Sequence, residues 1–401
     1  MADGTPAGRL RGALRGLVRP PELTTGAERT ASRLELFFDL AFVLVVAELA
    51  IALRADVTLH GELLFAGLFT LVWWSWISAT LYANRFDHDD VVYRLYKLGS
   101  MAAVIGLAAS ATEATGDRYA IFVGCQLLLR ATLILQYGRA YRHVAAARPI
   151  ARLYLVGAGI GALLWAVSLV VPRPVGFGLW AAAVLVEALV PLLATRHSTD
   201  VPLHVEHLPE RFGLFVILVL GESVAGIAHG LYYAEWAPSA IPVAVLSFLL
   251  AAALWWSYFD LAGARAKRLL NEAGGEQSDL SHDVYVFGQL PLTLALATVG
   301  AGIELAVVQS GAGEVPAGTR FLLAGGVAVY LVSMTVTDSG MSRETRRRWW
   351  WPLAAAAFAV LDAVLELPAV VVVGALAVLM AAVVVVGTAE RSTGRLDVDP
   401  L

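Results

Sequence analysis

Residues Leu34 to Leu53 read LELFFDLAFVLVVAELAIAL, a stretch long and apolar enough to cross a lipid bilayer. A spanning helix needs about 20 residues at a rise of about 1.5 Å each. The stretch also carries Glu35, Asp39 and Glu48. A carboxylate at the bilayer centre costs about 2.5–3.5 kcal/mol even on insertion scales, so these acids must face protein or water. The sequence therefore predicts a spanning helix packed inside a bundle.

The rest of the chain has the composition of an integral membrane protein. It is 58% hydrophobic and 15% charged, with a mean hydropathy of +0.70, whereas soluble domains carry about 25% charged residues. We therefore predict an all-α integral membrane protein with about twelve transmembrane helices. The predicted segments are roughly 34–53, 62–82, 95–113, 119–137, 152–171, 175–194, 212–231, 238–260, 283–308, 319–337, 352–366 and 369–387. The eleventh, which is short and holds Asp362, is the least secure.

Basic residues are distributed unevenly around these segments. Only Arg54, Arg118, Arg173 and Arg320 fall in or beside the loops after odd-numbered segments, and Arg130 lies inside the fourth segment. The other Lys and Arg residues lie in the two tails or around the loops after even-numbered segments. This is the positive-inside pattern of a multi-pass membrane protein. It predicts that both termini are cytoplasmic.

An internal repeat divides the chain. Phe38 to Glu48 aligns without a gap to Phe212 to Glu222, except that Gly213 stands where the first copy has Asp39. Farther on, the sequence WWSW at Trp73 matches WWSY at Trp255. An even number of helices per half leaves both halves in one orientation, related by an axis along the membrane normal. The sequence thus predicts two parallel six-helix pseudo-repeats.

The domain boundaries follow from the repeat and the charges. We predict a basic cytoplasmic tail over 1–33, a first six-helix half over 34–194, a cytoplasmic connection over 195–211, a second half over 212–387 and a cytoplasmic tail over 388–401. The single cysteine, Cys125, excludes an intrachain disulfide.

The intramembrane acids are the main candidate ion site. Glu48 and Glu222 hold equivalent places in the two halves and are candidates for binding a cation or relaying protons, because acids inside membranes usually have a function. The alternative is that each is a hydrogen-bonded carboxyl group that holds helices together. Asp39 is either a site residue or a structural cap. Glu35 is a further candidate for the ion site, although the positive end of the helix dipole also explains it well.

Five further charged residues are candidates for a supporting role: Arg33, Arg130, Glu187, Glu210 and Arg211. Arg130 and Glu187 lie in the middle of apolar segments, and we expect them to pair with each other. Glu210 and Arg211 begin the seventh segment, where we expect them to form salt bridges with Arg33 or Asp39.

Two polar stretches suggest metal binding, but in both cases a structural interpretation is favoured. His204 and His207, with two nearby glutamates, resemble a weak metal motif, and a salt-bridged start of a helix explains them better. The loop from Asn84 to Asp90 is acidic enough to bind Mg²⁺ and diphosphate, although a solvated connection is the simpler interpretation. No nucleotide-binding fingerprint, Ser-His-Asp set or H-E-x-x-H motif is present, so we predict no metal and no cofactor.

Two motifs connect the chain to a known family. LELFFDL at Leu34 with the following Phe42-Val43, and HLPERF at His207 with LGES at Leu220, resemble the low temperature requirement protein A family of bacterial membrane proteins. The resemblance covers about residues 30 to 390. It implies a multi-spanning helical protein associated by name with growth in the cold, and it implies no particular molecular activity.

A second, local resemblance concerns the first helix. Arg33 with Phe37-Phe38-Asp39 is similar to the opening of the first helix in endosomal and lysosomal potassium or proton channels, although their serine is missing here. This resemblance implies ion conduction.

Three functions are compatible with these features. A transporter or channel for an ion or small solute is favoured by parallel repeats and buried acids. The alternatives are an intramembrane enzyme acting on a lipid or isoprenoid, and a membrane scaffold or sensor. The expected partners are membrane lipid and the transported solute, with self-association as a further option and no nucleic acid. Because Asp39 has no counterpart in the second half, we predict that it performs a task done once per molecule.

Overall fold

The structure, a computed structural model, describes residues 17–24, 32–87, 90–195, 207–263, 276–341 and 350–390. In these ranges the chain is almost entirely helical. The helices are α1 (Arg33–Ala55), α2 (Leu59–Arg85), α3 (Val91–Ser110), α4 (Tyr119–His143), α5 (Arg148–Ser168), α6 (Arg173–Thr195), α7 (His207–Tyr233), α8 (Ala240–Trp256), α9 (Glu276–Val308), α10 (Ala317–Met341), α11 (Trp350–Val364) and α12 (Ala369–Glu390). The strands β1 (Glu22–Leu23) and β2 (Phe86–Asp87) form an antiparallel pair.

Each predicted segment corresponds to one of these helices. Within the described ranges, eleven helices are long and apolar enough to cross a membrane, which confirms the prediction of an all-helical, multi-pass membrane protein. The exception is α11, which has 15 residues and so spans only about 22 Å at 1.5 Å per residue. The eleventh segment, identified from the sequence as the least secure, is therefore shorter than a full crossing of about 30 Å.

Two helices contain π-helical turns that the apolar pattern did not predict. α8 continues into a π-helix at Ser257–Gly263, and α10 has a π-helical turn at Phe321–Gly325 between its two α-helical parts. In a π-turn the backbone hydrogen bond spans one residue more than in an α-helix, which turns the following side chains to a different face. The hydropathy of the sequence does not predict such a turn, because the composition stays apolar within the turn.

The chain divides into two compact units. Unit 1 comprises residues 1–45 and 71–208, and unit 2 comprises residues 46–70 and 209–401. The division between residues 208 and 209 falls inside the predicted cytoplasmic connection. The other two divisions fall within α1 and α2, so the second part of α1 and the first part of α2 belong to unit 2.

Aromatic rings form the core at one end of unit 1. Tyr137 of α4 stacks on Tyr154 of α5 with ring centroids 4.6 Å apart, and its edge meets Tyr82 of α2 at 4.8 Å. The guanidinium of Arg85, which is buried, donates to the hydroxyl of Tyr154 at 3.1 Å. Leu23 of β1 packs against the same cluster, which attaches the described part of the N-terminal tail to this unit.

The polar loop before α3 has a structural role at Asp90. Its carboxylate accepts the backbone N–H of Tyr93 at 3.0 Å as a helix cap and forms an ion pair with Arg139 of α4. Burial favours the neutral form of Asp90, but the hydrogen bonds from Arg139 and Tyr93 outweigh it and hold the pKa of this carboxyl group below its usual value. The charge partner of Asp90 is therefore the guanidinium of Arg139, whereas the acidic loop sequence had suggested a metal ion. His88 and Asp89 lie outside the described residues.

In unit 2 the longest helix, α9, approaches α7 closely. A Cβ atom added to Gly226 of α7 would lie 2.9 Å from the carbonyl oxygen of Gly300, and one added to Gly230 would lie 2.7 Å from Cβ of Val307. Small residues spaced four apart let two membrane helices pack at short distance. This contact brings two acidic side chains, one from each helix, to the same place.

Candidate functional site

Those acids form an ionic cluster in unit 2. Arg54, in the last turn of α1, donates from Nη1 to Oε1 of Glu222 at 2.8 Å, and its Nε lies 3.3 Å from Oε1 of Glu304. The three side chains are 8–11% exposed. One guanidinium therefore serves two carboxylates in a largely buried setting.

A histidine lies at the rim of this cluster. Nδ1 of His229 is 3.5 Å from Oε2 of Glu304, and the His229 side chain is 58% exposed. Oε2 itself is buried and has no hydrogen-bond partner among the described residues. An accessible imidazole therefore lies beside a buried carboxylate oxygen.

The helices position this cluster for identifiable reasons. A cation in the last turn of a helix is stabilised by the negative end of the helix dipole, which suits Arg54. Gly300 has no side chain, and a Cβ there would lie 3.1 Å from Cγ of Glu222. The same glycine contact that joins α7 to α9 therefore leaves room for the glutamate.

Unit 1 contains a second ionic cluster, between α4 and α6. Arg130 binds Glu187 with two hydrogen bonds, Nε to Oε1 at 2.8 Å and Nη2 to Oε2 at 3.1 Å. Its Nη1 donates to Oε1 of Gln126 at 2.7 Å, and that oxygen also accepts the hydroxyl of Ser75 at 2.9 Å. The guanidinium carbon lies 4.9 Å from the ring centroid of Trp165, a cation–π contact. The two charges paired in the sequence analysis are thus in direct contact.

The glycine-rich run of α5 makes room for this pair. A Cβ added to Gly161 would lie 1.9 Å from Oε1 of Glu187, and one added to Gly157 would lie 2.2 Å from Cγ2 of Val190. A cavity of about 20 Å³ adjoins the pair and is lined in part by hydroxyl groups. Such a volume holds about one water molecule.

Asp39 is buried in unit 1. The residue is only 1% exposed, and its Oδ1 accepts the indole N–H of Trp76 at 2.9 Å. In the second half, Gly213 stands at the equivalent of Asp39, and a Cβ there would lie 3.2 Å from the ring of Phe259. The equivalent of Trp76 is Tyr258. Both members of the Asp39–Trp76 contact therefore differ in the second half.

The comparison with known proteins gives the family. Residues 30–385 match the family model described as "Bacterial low temperature requirement A protein (LtrA)". The chain belongs to the LtrA family. It is also 27% identical over 295 residues to an uncharacterized protein of Rhizobium meliloti (strain 1021), an alignment that covers 69% of this chain and 70% of that protein.

The two motif stretches of this LtrA-family protein contain the buried charges of α1 and α7. Glu35 accepts the backbone N–H of Ser32 at 2.9 Å, and the Ser32 hydroxyl accepts the backbone N–H of Glu35 at 3.2 Å. This reciprocal pair is a capping box, a more specific structural role than the dipole effect inferred from the sequence. Arg33 is exposed, Glu210 is half-buried and Arg211 is fully buried. His204 and Glu206 lie outside the described residues.

The remaining candidates of the LtrA-family protein have different surroundings. Glu48 is half-buried in α1, while Glu222 is engaged by Arg54. Glu113, which closes the third predicted segment, pairs with Arg118 on a half-exposed surface. Trp73 and Trp74 are buried, whereas Trp255 and Trp256 are about half exposed. No group of three or more His, Cys, Asp or Glu residues suited to a metal ion occurs among the described residues.

Sequence reasoning did not predict three members of the unit 2 cluster. Arg54 was counted only as a loop cation, and Glu304 and His229 were not among the candidate site residues. The sequence feature that could have identified Arg54 is its place at the end of an apolar helix that carries acids. A cation in that place needs a partner. Its actual partners, Glu222 and Glu304, are far away in sequence, so no local pattern identifies them.

Proposed function

We propose that this LtrA-family protein carries protons or another small monovalent cation across the cytoplasmic membrane, as a transporter or channel. Its ion site is the unit 2 cluster of Arg54, Glu222, Glu304 and His229. The observation that carries this proposal is that one guanidinium is shared by two buried carboxylates. One guanidinium against two carboxylates leaves one formal negative charge in excess.

An excess charge in a buried site favours uptake of a cation. Two carboxylates close together repel each other, and a cation bound beside one of them relieves this repulsion. Glu222 keeps the shorter contact with Arg54, at 2.8 Å against 3.3 Å for Glu304. We therefore assign Glu304 as the acid that binds the cation and Glu222 as the counter-ion of Arg54. His229 connects Glu304 to water.

Proton flux into liposomes containing the purified protein tests this assignment. Glu304→Gln removes the excess charge and keeps the size of the side chain, so we expect flux to fall by at least about tenfold, equivalent to about 1.4 kcal/mol. Glu222→Gln leaves Glu304 available to Arg54 and should reduce flux less. The matched control is Glu113→Gln, which alters an exposed ion pair and should leave flux unchanged.

The result that contradicts the site is a Glu304→Gln protein that is folded and transports at the wild-type rate. If the wild-type protein moves neither protons nor any other monovalent cation, transport itself is the wrong function.

We also propose the membrane orientation and the parallel pseudo-repeats. The distribution of Lys and Arg supports cytoplasmic termini, and the matched stretches at Phe38 and Phe212 support two six-helix halves. Reporter fusions after Arg148 and after Arg173 test the orientation. We expect a cytoplasmic reporter to be active at the first site and a periplasmic reporter at the second. Finding both sites on one side rules out this orientation.

One observation favours the alternative of an intramembrane enzyme. A groove of about 640 Å³ in unit 2 is lined mostly by apolar side chains of α1, α2, α9 and α10, and Glu62 is its acidic residue. A volume of this size suits a drug-sized apolar ligand, and a carboxyl group beside it is suited to general acid catalysis. Chemical change of extracted membrane lipids or isoprenoids by the purified protein, lost in Glu62→Gln, would support this function.

A further inference from the structure

A line of buried polar side chains extends along α9 in unit 2. Gln289 and Thr293 are 3% and 0% exposed, and Glu304 of the ionic cluster is 8% exposed. At about 100° per residue, Thr293, Gly300 and Glu304 lie within about 60° of Gln289 around the helix axis. One face of α9 therefore leads towards the unit 2 cluster over about 22 Å, the rise of the 15 residues from Gln289 to Glu304.

Other helices of unit 2 add polar groups at the start of this face. The hydroxyl of Tyr258 donates to Oε1 of Gln289 at 3.3 Å. Ser257, its neighbour in the π-helix that continues α8, shares a hydrogen bond of 2.7 Å with the hydroxyl of Tyr330 in α10. All four side chains are buried. Polar groups inside an apolar bundle either hold helices together or line a path for water and ions.

The polar line is interrupted twice before Glu304, by Leu296 and by Ile303, which is 0% exposed and lies within about 40° of Gln289 around the axis. From Thr293 to Gly300 the helix rises about 10 Å, and the bulky side chain on this face within that interval is Leu296, which is 0% exposed. Leu296 lies within about 20° of Gln289 around the axis. Hydrophobic constrictions of this kind gate conduction by excluding water.

We infer that the face of α9 bearing Gln289 and Thr293 is the section of the conduction path that leads to Glu304, and that Leu296 and Ile303 form its apolar gate. This inference rests on the proposed ion site. Protons reach the gate along the hydroxyl and amide groups around Gln289. They pass Leu296 and Ile303 when water enters the interval, and they then bind the carboxylate of Glu304.

The test compares two leucines of the same helix. Leu296→Ser introduces a hydroxyl group at the gate, so proton flux into liposomes should rise several-fold. Leu294 lies about 140° from Gln289 around the axis and lines the apolar groove instead. Leu294→Ser makes the same chemical change there and should leave flux at the wild-type level. Adding Glu304→Gln to Leu296→Ser should abolish the increase.

A second measurement does not depend on transport. In a Cys125→Ser background, Ala297→Cys should react slowly with a small water-soluble thiol reagent, and adding Leu296→Ala should accelerate the reaction several-fold. If Leu296→Ser does not fold, Leu296→Ala replaces it in the flux measurement.

Three outcomes decide the inference. Increased flux that depends on Glu304, with faster labelling at residue 297, supports it. If wild-type flux depends on Glu304 but both substitutions of Leu296 leave flux and labelling unchanged, the gate is wrong and the proposed function stands. Absence of flux in both the wild-type protein and the Leu296 variants overturns both.

Discussion

Replacing Arg130 with methionine is expected to lower the free energy of unfolding by about 3–5 kcal/mol, the cost of leaving one partner of a buried ion pair uncompensated. Glu187 would remain buried between α4 and α6 while losing both hydrogen bonds from Arg130. Gln126 would lose its donor on Arg130 as well. Thermal unfolding of the purified protein in detergent measures the effect.

Two control variants separate the charge from the packing. The double variant Arg130→Met with Glu187→Met removes both charges and should recover most of the lost stability, because apolar replacement of a whole buried pair is often neutral. Arg118→Met breaks the exposed pair with Glu113 and should cost at most about 1 kcal/mol. Equal stability of Arg130→Met and the wild-type protein would contradict the prediction.

The second large effect is expected at Asp39. Asp39→Asn should abolish ion flux in liposomes while leaving the protein folded and inserted. Asparagine keeps an oxygen that accepts the N–H of Trp76, so the contact between α1 and α2 is retained while the charge is lost. A residue needed only for packing should recur in the second half, yet the equivalent positions are Gly213 and Tyr258.

The control for Asp39 alters the other member of the contact. Trp76→Phe removes the hydrogen bond and keeps the carboxylate, so it should lower the thermal stability and preserve flux per folded molecule. Loss of flux in Asp39→Asn that parallels unfolding, or full flux in a stable Asp39→Asn protein, would show that Asp39 is a structural residue.

Hydropathy and charge placement predicted the helices well, because each depends on properties local to a segment. A membrane helix satisfies its own backbone hydrogen bonds, so its apolar length is readable without its neighbours. The pairing of Arg130 with Glu187 was also predictable, since two isolated charges in apolar segments each need a partner. Similarly, Ser32 three residues before Glu35 is a recognisable capping pattern.

The composition of the ionic clusters was not predictable in the same way. Arg54, Glu222 and Glu304 come from three helices widely separated in sequence, and only their packing brings both carboxylates within 3.3 Å of the Arg54 guanidinium. Glu113 closes the third predicted segment, and Glu304 lies late in the ninth. Their surroundings differ, because residues at similar places along two helices do not thereby share the neighbours on the helix faces.

The π-helical turn Phe321–Gly325 has a consequence for changes in chain length. Because a π-turn contains one residue more than the α-helical turn it replaces, deleting one residue within 321–325 converts it to a regular turn and leaves the register of residues 326–341 intact. The same deletion at Tyr330 rotates every later side chain of α10 by about 100°. Ser333 and Thr337, which are buried, would then turn away from the interior. Related chains that differ by one residue in this helix should therefore carry the gap at 321–325.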